Sequence, residues 1–425
     1  MKRFALLMLS AMLFGSVAMA QYYKAGNDRF SVKVQPFVGD YLDKHNNMKI
    51  INPTLPSGFN LGFELPSSQQ RPWQQYLNNS TAGVGITYMD MGDKVMGHTV
   101  SIYPYIVLNC LRKEHVELGI KLAAGLGYCT ESYWTNTLDT DTDDPTANYT
   151  FGSNLNAYLT GGLNFNFPIS RNIALNAELG FAHMSNGRIK EPNKGANILY
   201  GGIGAIATVN PEKEKEPIRF PSLPYRWSLN ITGAVGSQNA DMADEKNFFI
   251  STFHAGAIYN VTNWYGVGLG ADVFFNDAIG AESNRGLFRT DITYKQRDKI
   301  RAGVSLNNEL LFGRVTAMVD WGIYLYNPAR HCYNSDHPIY GYGKRPLFYK
   351  GEGAGSDEAW NYIRFGVKCR VWDNLYVQAL AKTHYHIAEM IEFGVGYQIP
   401  FISKNKRQND KDIIFHNREG WWNNY

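Results

Sequence analysis

Beyond its first twenty residues, the sequence has no apolar run long enough for a transmembrane helix. Such a helix needs about 20 consecutive apolar residues. The mean hydropathy of −0.32 also excludes a helical membrane protein. The formal net charge of +3 is too small to favour a nucleic acid as a partner.

Cysteine is scarce, with four residues in 425. Cys110, Cys129, Cys332 and Cys369 do not have the spacing of metal ligands. The sequence therefore predicts neither a disulfide nor a metal centre, and no motif in it calls for a cofactor.

The N-terminus has the pattern of a secretory signal peptide over residues 1–20. Two basic residues precede an apolar segment at 4–17, and an A-x-A cleavage site ends at Ala20. We expect the mature protein to begin at Gln21. Because no cysteine follows the site, a lipid anchor there is not expected.

The rest of the chain is rich in alternating apolar and polar residues. Across 155–167, Leu163 and Phe165 share one face, whereas Asn164 and Asn166 share the other. A run of this length exceeds most strands of soluble proteins. It is typical of a transmembrane barrel strand, which is apolar toward lipid and polar toward the lumen. Aromatic residues, 14% of the chain, suit the girdles of such barrels.

Sixteen segments with this pattern predict an all-β, antiparallel outer-membrane β-barrel architecture. The predicted strands are 29–40, 57–64, 80–90, 96–109, 114–128, 154–168, 172–184, 196–209, 225–236, 248–260, 263–276, 299–312, 314–327, 358–371, 373–385 and 388–401. They could form two eight-stranded barrels or one larger barrel. Two are favoured because a charged, Pro-rich linker divides the strands into two even sets. The predicted domains are a signal peptide 1–20, a barrel 21–209, a linker 210–224, a second barrel 225–401 and a polar tail 402–425.

Short connections indicate which end of the first barrel faces the periplasm. "CLRKE" and "ISRN" follow the fourth and sixth strands, whereas the connection at 130–153 is long. Outer-membrane barrels have short periplasmic turns and long outer loops. The strand that begins at Asn172 therefore runs outward and ends near the outer leaflet, at residues 183–187.

A polar pair, His183 and Ser185, lies on the lipid-facing side of that strand with Leu179 and Phe181. A polar pair facing hydrocarbon is costly unless it sits at the interface or acts on a substrate within the membrane. Alternate residues of a strand are about 7 Å apart at Cα, so the two side chains can meet if the strand curls. The imidazole would then take the hydroxyl proton for attack on an ester carbonyl. Asn186 and the main-chain amides near Gly187 are candidate oxyanion donors.

The stretch "FAHMSNGRIKEPNKGAN" resembles the signature of the PagL-type lipid A deacylases, eight-stranded outer-membrane barrels. The resemblance covers residues 29–209. It implies an esterase that removes the 3-O-linked acyl chain of lipid A, with lipopolysaccharide of the outer leaflet as its partner. It gives the nucleophile role to Ser185, the base role to His183, and support of the oxyanion or of the site geometry to Asn186 and Asn193.

The sequence departs from the family at the catalytic acid, whose position is occupied by Asn197. Asn197 shares the outward face with Leu199 and Ile203. An amide oxygen can orient the imidazole but cannot stabilise imidazolium as a carboxylate does, so slower turnover is expected. Glu191, in the loop, is a possible substitute for the acid.

Two other clusters have weaker claims. Asp139, Asp141, Asp143 and Asp144 suggest a divalent-cation site toward lipopolysaccharide phosphates, but the glycine and closing glutamate of a calcium loop are missing. A solvated acidic loop is the favoured interpretation. His384 and His386 could ligate a metal, although a polar lumen lining is favoured because no third ligand is evident. Glu309 and Asp320 are assigned to the lumen of the second half.

The second half is a diverged copy that lacks the polar pair, because His183 aligns with Tyr385 and Ser185 with Ile387. This leaves a rival hypothesis, a non-catalytic barrel that acts as a pore, a binding protein or a structural protein. One wide barrel would favour a pore, and two narrow barrels with filled lumens would favour the enzyme. In a third hypothesis the first half is catalytic and the second is an anchor or platform. Homo-oligomerisation stays open.

Overall fold

A computed structural model describes residues 30–42, 54–67, 72–136, 148–209, 225–239, 246–280, 292–328, 332, 360–384 and 387–401. The predicted signal peptide, linker and polar tail lie outside the described residues. So do the aspartate cluster at 139–144, Tyr385 and His386.

The described residues form sixteen strands. Those of the first half are β1 (Phe30–Tyr41), β2 (Ser57–Leu65), β3 (Thr81–Asp90), β4 (His98–Lys113), β5 (Val116–Cys129), β6 (Leu155–Pro168), β7 (Ile173–Ser185) and β8 (Ala196–Val209). Those of the second half are β9 (Trp227–Asn239), β10 (Asn247–Asn260), β11 (Tyr265–Asn276), β12 (Ile300–Phe312), β13 (Val315–Tyr326), β14 (Asn361–Trp372), β15 (Leu375–His384) and β16 (Ile387–Phe401). Two short helices, α1 (Pro72–Tyr76) and α2 (Tyr133–Asn136), and a 3-10 helix at Gln296–Lys299 lie in the connections. No helix in the described part of the chain is long and apolar enough to cross a membrane.

The strands close into two separate antiparallel barrels, one from β1–β8 and one from β9–β16. The first closes where β1 pairs with β8, with Phe30 opposite Val209. The second closes where β9 pairs with β16, with Trp227 opposite Phe401. The prediction of two eight-stranded barrels is confirmed, and the alternative of one larger barrel is wrong.

Alternation along β7 explains why the chain adopts this form. Leu175 and Leu179 point outward and are 47% and 61% exposed, whereas Asn176 and Glu178 point inward and are buried. Successive side chains of a strand face opposite sides, and an eight-stranded barrel is just wide enough for side chains to fill. The apolar surface is therefore on the outside, as the sequence pattern predicted.

A buried ion cluster fills the first lumen. The Glu178 carboxylate accepts hydrogen bonds from Lys33 (3.2 Å), Lys121 (2.8 Å) and the Tyr200 hydroxyl (2.5 Å). Such groups are tolerated away from water only when they are paired and hydrogen-bonded. The cluster ties β1, β5, β7 and β8 together across the lumen.

The second lumen is filled in the same manner. Arg364 donates to Asp272 (2.7 Å) and Glu392 (2.7 Å), and Lys368 donates to Glu309 (2.6 Å). Asp320 lies beside Arg364, with 3.8 Å between charged atoms. The assignment of Glu309 and Asp320 to the lumen is confirmed.

His384 also lines the second lumen, where its Nε2 lies 2.8 Å from the Tyr324 hydroxyl. The side chain is 1% exposed. Across the described residues, no three His, Cys, Asp or Glu side chains are grouped as metal ligands would be. The four cysteines are free thiols.

Most of the short turns lie at one end of the barrels, here called the turn end, and the longest connection of the first barrel, 130–154, lies at the other, here called the loop end. The connection 66–80, which carries α1, is an exception at the turn end. Residues 313–314 and 373–374 are two-residue turns of the second barrel, and 169–172 is the predicted "ISRN" turn of the first. The prediction of "CLRKE" as a turn is wrong for residues 110–113. A bulge between Asn109 and Leu111 re-aligns the pairing, so β4 continues and only 114–115 turn. Outer-membrane barrels carry their longer loops on the extracellular side.

The ion cluster of the first lumen predicts a strong effect of Glu178→Ala. Its removal leaves Lys33 and Lys121 buried without their carboxylate, which costs about 3–5 kcal/mol of unfolding free energy. Urea unfolding in detergent, followed by heat-modifiable gel mobility, measures the loss.

Glu117→Ala is the matched control, because Glu117 pairs with a half-exposed Arg112 at 2.6 Å. An exposed pair contributes about 0–1 kcal/mol. Equal unfolding midpoints for the two variants would contradict the structural role of the Glu178 cluster.

Candidate active site

His183 links two polar side chains on the outward face at the loop end of the first barrel. Strands β7 and β8 pair with His183 opposite Asn197. The Nδ1 atom of His183 lies 2.7 Å from Asn197 Oδ1, and Nε2 lies 2.9 Å from Ser185 Oγ. The three residues thus form a continuous relay on the face to which strand parity assigned them.

The relay fixes which ring nitrogen carries the proton. The Asn197 amide oxygen has only acceptor capacity, so Nδ1 of His183 is the protonated nitrogen. Nε2 then presents its lone pair to the Ser185 hydroxyl. This is the tautomer in which an imidazole can act as a general base toward a serine.

Ser185 ends β7, and a loop at residues 186–195 folds over it. Asn186 is the hub of this loop: its N–H donates to Asn193 Oδ1 (2.9 Å), and its side-chain amide donates to the Lys190 carbonyl (2.7 Å) and Ser153 Oγ (3.0 Å). Asn186 and Asn193 therefore support the loop, and these hydrogen bonds fix its shape.

The main chain turns through the left-handed region immediately after the hub. Gly187 has φ of 60° and Arg188 has φ of 66°. A positive φ raises the conformational free energy of Arg188, because this residue has a Cβ atom, and contacts with the surrounding residues must stabilise it. Within the described residues the Gly187 N–H has no hydrogen-bond acceptor, so it stays a candidate oxyanion donor.

Glu191 is committed to the loop. Its carboxylate accepts from Arg188 Nε (3.2 Å) and from the Asn193 N–H (2.9 Å). Asn197 lies next to His183 Nδ1, where the catalytic acid is expected. The Glu191 carboxylate, the other candidate for the acid, is instead bonded within the loop.

Gly195 closes the loop against the relay, and sequence reasoning did not single it out. Its φ is 73°, and a Cβ atom there would lie 3.1 Å from both His183 Cε1 and Ser185 Cβ. Its N–H donates to the Thr150 carbonyl at 3.0 Å, which ties this point to the connection before β6. The spacing Pro-Asn-x-Gly in the quoted stretch was the available signal.

Aromatic residues of neighbouring connections flank the loop. Trp134 in α2 donates its indole N–H to the Glu191 carbonyl at 2.8 Å, and the Lys190 ammonium lies 4.5 Å from the centre of its ring. Lys194 lies 5.4 Å from the centre of the Tyr149 ring. The rim beside Ser185 is therefore both cationic and aromatic.

Two protein-family models match the chain. The model "Lipid A 3-O-deacylase (PagL)" matches residues 57–204, which include the relay. The model "Acyloxyacyl hydrolase, C-terminal domain" matches residues 227–341 and 347–401. Together they account for most of both barrels.

Solved structures with similar architecture include the outer membrane enzyme PagL, at 17% identity and a TM-score of 0.27, over 42% of this chain and 99% of that one. Neisserial surface protein A matches at 13% identity and 0.26, over 43% and 99%. A Rh. blastica porin variant matches at 11% identity and 0.17, over 87% and 100%. No curated protein matches this chain.

The contact between Gly195 and the relay predicts that Gly195→Ala impairs Ser185. The added methyl displaces His183 or Ser185, and misplacement of this kind lowers reactivity by about tenfold to a hundredfold. The rate at which a fluorophosphonate probe labels Ser185 measures the effect.

Gly201→Ala is the control, because its Cβ atom would meet only Leu179 Cδ2, at 3.5 Å. Both variants are compared after heat-modifiable mobility shows a folded barrel. Equal labelling rates for the two would show that the loop does not shape the relay.

Proposed function

The chain belongs to the lipid A 3-O-deacylase (PagL) family, and from that premise we propose that it is an outer-membrane esterase that hydrolyses the 3-O-linked acyl chain of lipid A. The observation that carries the proposal is the relay Ser185–His183–Asn197 on the outward face of the first barrel at the loop end, where Ser185 lies beneath the 186–195 loop and is 8% exposed. A water-soluble ester would not be expected to approach the outward face of a membrane barrel. A lipid of the outer leaflet would bring its ester carbonyls to this end of the barrel.

The reaction follows from the relay. Ser185 Oγ attacks the ester carbonyl carbon while His183 Nε2 takes the hydroxyl proton. The oxyanion forms next to the Gly187 N–H, and collapse breaks the bond to the sugar oxygen, which receives the proton from His183. Water then hydrolyses the acyl-serine by the same steps in reverse order, which releases the fatty acid.

The surroundings of Ser185 fit an anionic lipid. Leu179 and Phe181, below it on the same face, are 61% and 38% exposed and can contact acyl chains. Above it, Lys190 and Lys194 lie at the rim, where lipid A phosphates would meet them. The substrate would thus be held by apolar contacts below the ester and by charge above it.

Asn197 fills the position of the family's acid in this scheme. At 2.7 Å from Nδ1, its amide oxygen orients the ring. It contributes no negative charge to stabilise the imidazolium that forms during attack. The enzyme is therefore expected to turn over slowly rather than to be inert.

A pore is the weaker alternative. Buried ion clusters fill both lumens, around Glu178 in one barrel and around Arg364 in the other. Eight-stranded barrels leave an interior only wide enough for such side chains. The filled lumens therefore favour a function on the outer surface of the barrel.

Mass spectrometry of lipid A from outer membranes that carry the intact protein or Ser185→Ala tests the proposal. We expect the intact protein alone to remove one hydroxyacyl group, because only it has the nucleophile. The position of the lost chain identifies which ester is cut. Identical lipid A from both, with both barrels folded, would overturn the deacylase proposal.

A gain-of-function variant tests the role of Asn197. Asn197→Asp places a carboxylate oxygen where the amide oxygen lies, so kcat should rise by about tenfold. Asn197→Ala, which removes the acceptor, should lower it. An unchanged or lower kcat in Asn197→Asp would show that the amide is not acting in place of the acid.

A further inference from the structure

We propose that the second barrel is a positioning element of the active site. Its rim at the loop end holds the 186–195 loop from the side opposite the first barrel and so sets the geometry around Ser185. The inference rests on the proposed function and assigns a task to the half of the chain that has no His-x-Ser pair.

Hydrogen bonds join the loop to the ends of β9 and β10. The Asn239 N–H donates to the Arg188 carbonyl at 2.8 Å, and Asn239 Oδ1 accepts from the Glu191 N–H at 3.4 Å. The Asn247 side-chain amide donates to the Ile189 carbonyl at 3.0 Å. Three main-chain groups of the loop, at residues 188, 189 and 191, are thus hydrogen-bonded to the second barrel.

An apolar contact from β16 completes the attachment. A Cβ atom on Gly187 would lie 2.5 Å from Ile391 Cγ1 and 2.7 Å from Cδ1. The Ile391 side chain therefore packs directly on the Gly187 main chain. Gly187 is two residues from Ser185 and carries the candidate oxyanion donor, so this contact bears on the reacting groups.

The physical need for such a support comes from the position of the loop. Residues 187–188 adopt left-handed main-chain conformations, and the second of them has a Cβ atom. Near the membrane, carbonyl and N–H groups without partners cost free energy. The bonds of Asn186 to Ser153 and of Trp134 to the Glu191 carbonyl fix the loop toward the first barrel. The contacts of Asn239, Asn247 and Ile391 fix its other side.

The two barrels also touch at the turn end, which makes the attachment more than a single contact. The rings of Trp73 in α1 and Phe312 in β12 are 6.1 Å apart between centroids. Contacts at both ends resist rotation of one barrel against the other. The rim of the second barrel is therefore a fixed reference for the loop.

A double-mutant cycle on Gly187→Ala and Ile391→Ala tests the contact. Gly187→Ala should lower kcat by about tenfold or more with little change in KM, because the methyl collides with Ile391 and shifts the loop. Ile391→Ala added to it should recover about threefold, a coupling that residues without contact do not show. Additive effects would overturn the proposal.

Ile399→Ala is the matched control, since Ile399 lies on the same outward face of β16 but near the turn end. It should leave kcat, KM and heat-modifiable mobility unchanged. A loss of activity equal to that of Ile391→Ala would assign the effect to general weakening of the second barrel and overturn the inference.

Hydrogen–deuterium exchange separates this inference from the proposed function. Asn247→Ala and Ile391→Ala should speed amide exchange in residues 187–191 by several-fold, whereas Ile399→Ala should not. This holds whether or not lipid A is cut, so an inactive intact protein would overturn the function alone. Unchanged exchange in both rim variants would overturn the positioning role alone.

Discussion

The absence of water in the bilayer core is the constraint on which this structure depends. Every main-chain N–H and C=O there must be bonded within the protein, and closed barrels meet that requirement without an exposed edge. Closure fixes which side chains face lipid, so a polar side chain on the outer face must find its partner on that face. His183, Ser185 and Asn197 meet this demand by bonding one another, and the same bonds order them for chemistry.

The lumens supply the rigidity that a short relay needs. Glu178, five residues before His183 on β7, draws lysines of β1 and β5 to one point. In the low dielectric of the lumen, loss of one member of such a cluster destabilises the fold, because it leaves a buried charge unpaired. A filled cylinder therefore holds β7 and β8 in register, and register is what places Asn197 opposite His183.

Much of this arrangement could be predicted from the sequence, because strand pairing propagates local patterns. The period-2 alternation gave the outward face of His183 and Ser185, and the even strand sets gave two barrels. The turn at "CLRKE" could not be placed, since the bulge at Asn109 depends on its partner strand. Asn239 and Ile391 were missed for a related reason: their contacts with the 186–195 loop join segments distant in sequence, and no periodicity encodes such contacts. Gly195 was missed although the Pro-Asn-x-Gly spacing pointed to it.

The location of the proposed nucleophile at the junction of strand and loop follows from two opposing needs. A strand holds a side chain rigidly, but its main-chain groups are spent on the ladder and cannot serve a reacting oxyanion. A loop offers N–H groups that lie outside the ladder, such as that of Gly187, but has no rigidity of its own. Ser185 is the last residue of β7, so the strand holds its side chain and the loop that follows places N–H groups beside it. The loop is the less rigid part of the site, and the contact of Ile391 with Gly187 supports it two residues after Ser185. A second barrel that lacks the His-x-Ser pair can therefore contribute to the site by holding the loop in place, without supplying a reacting group.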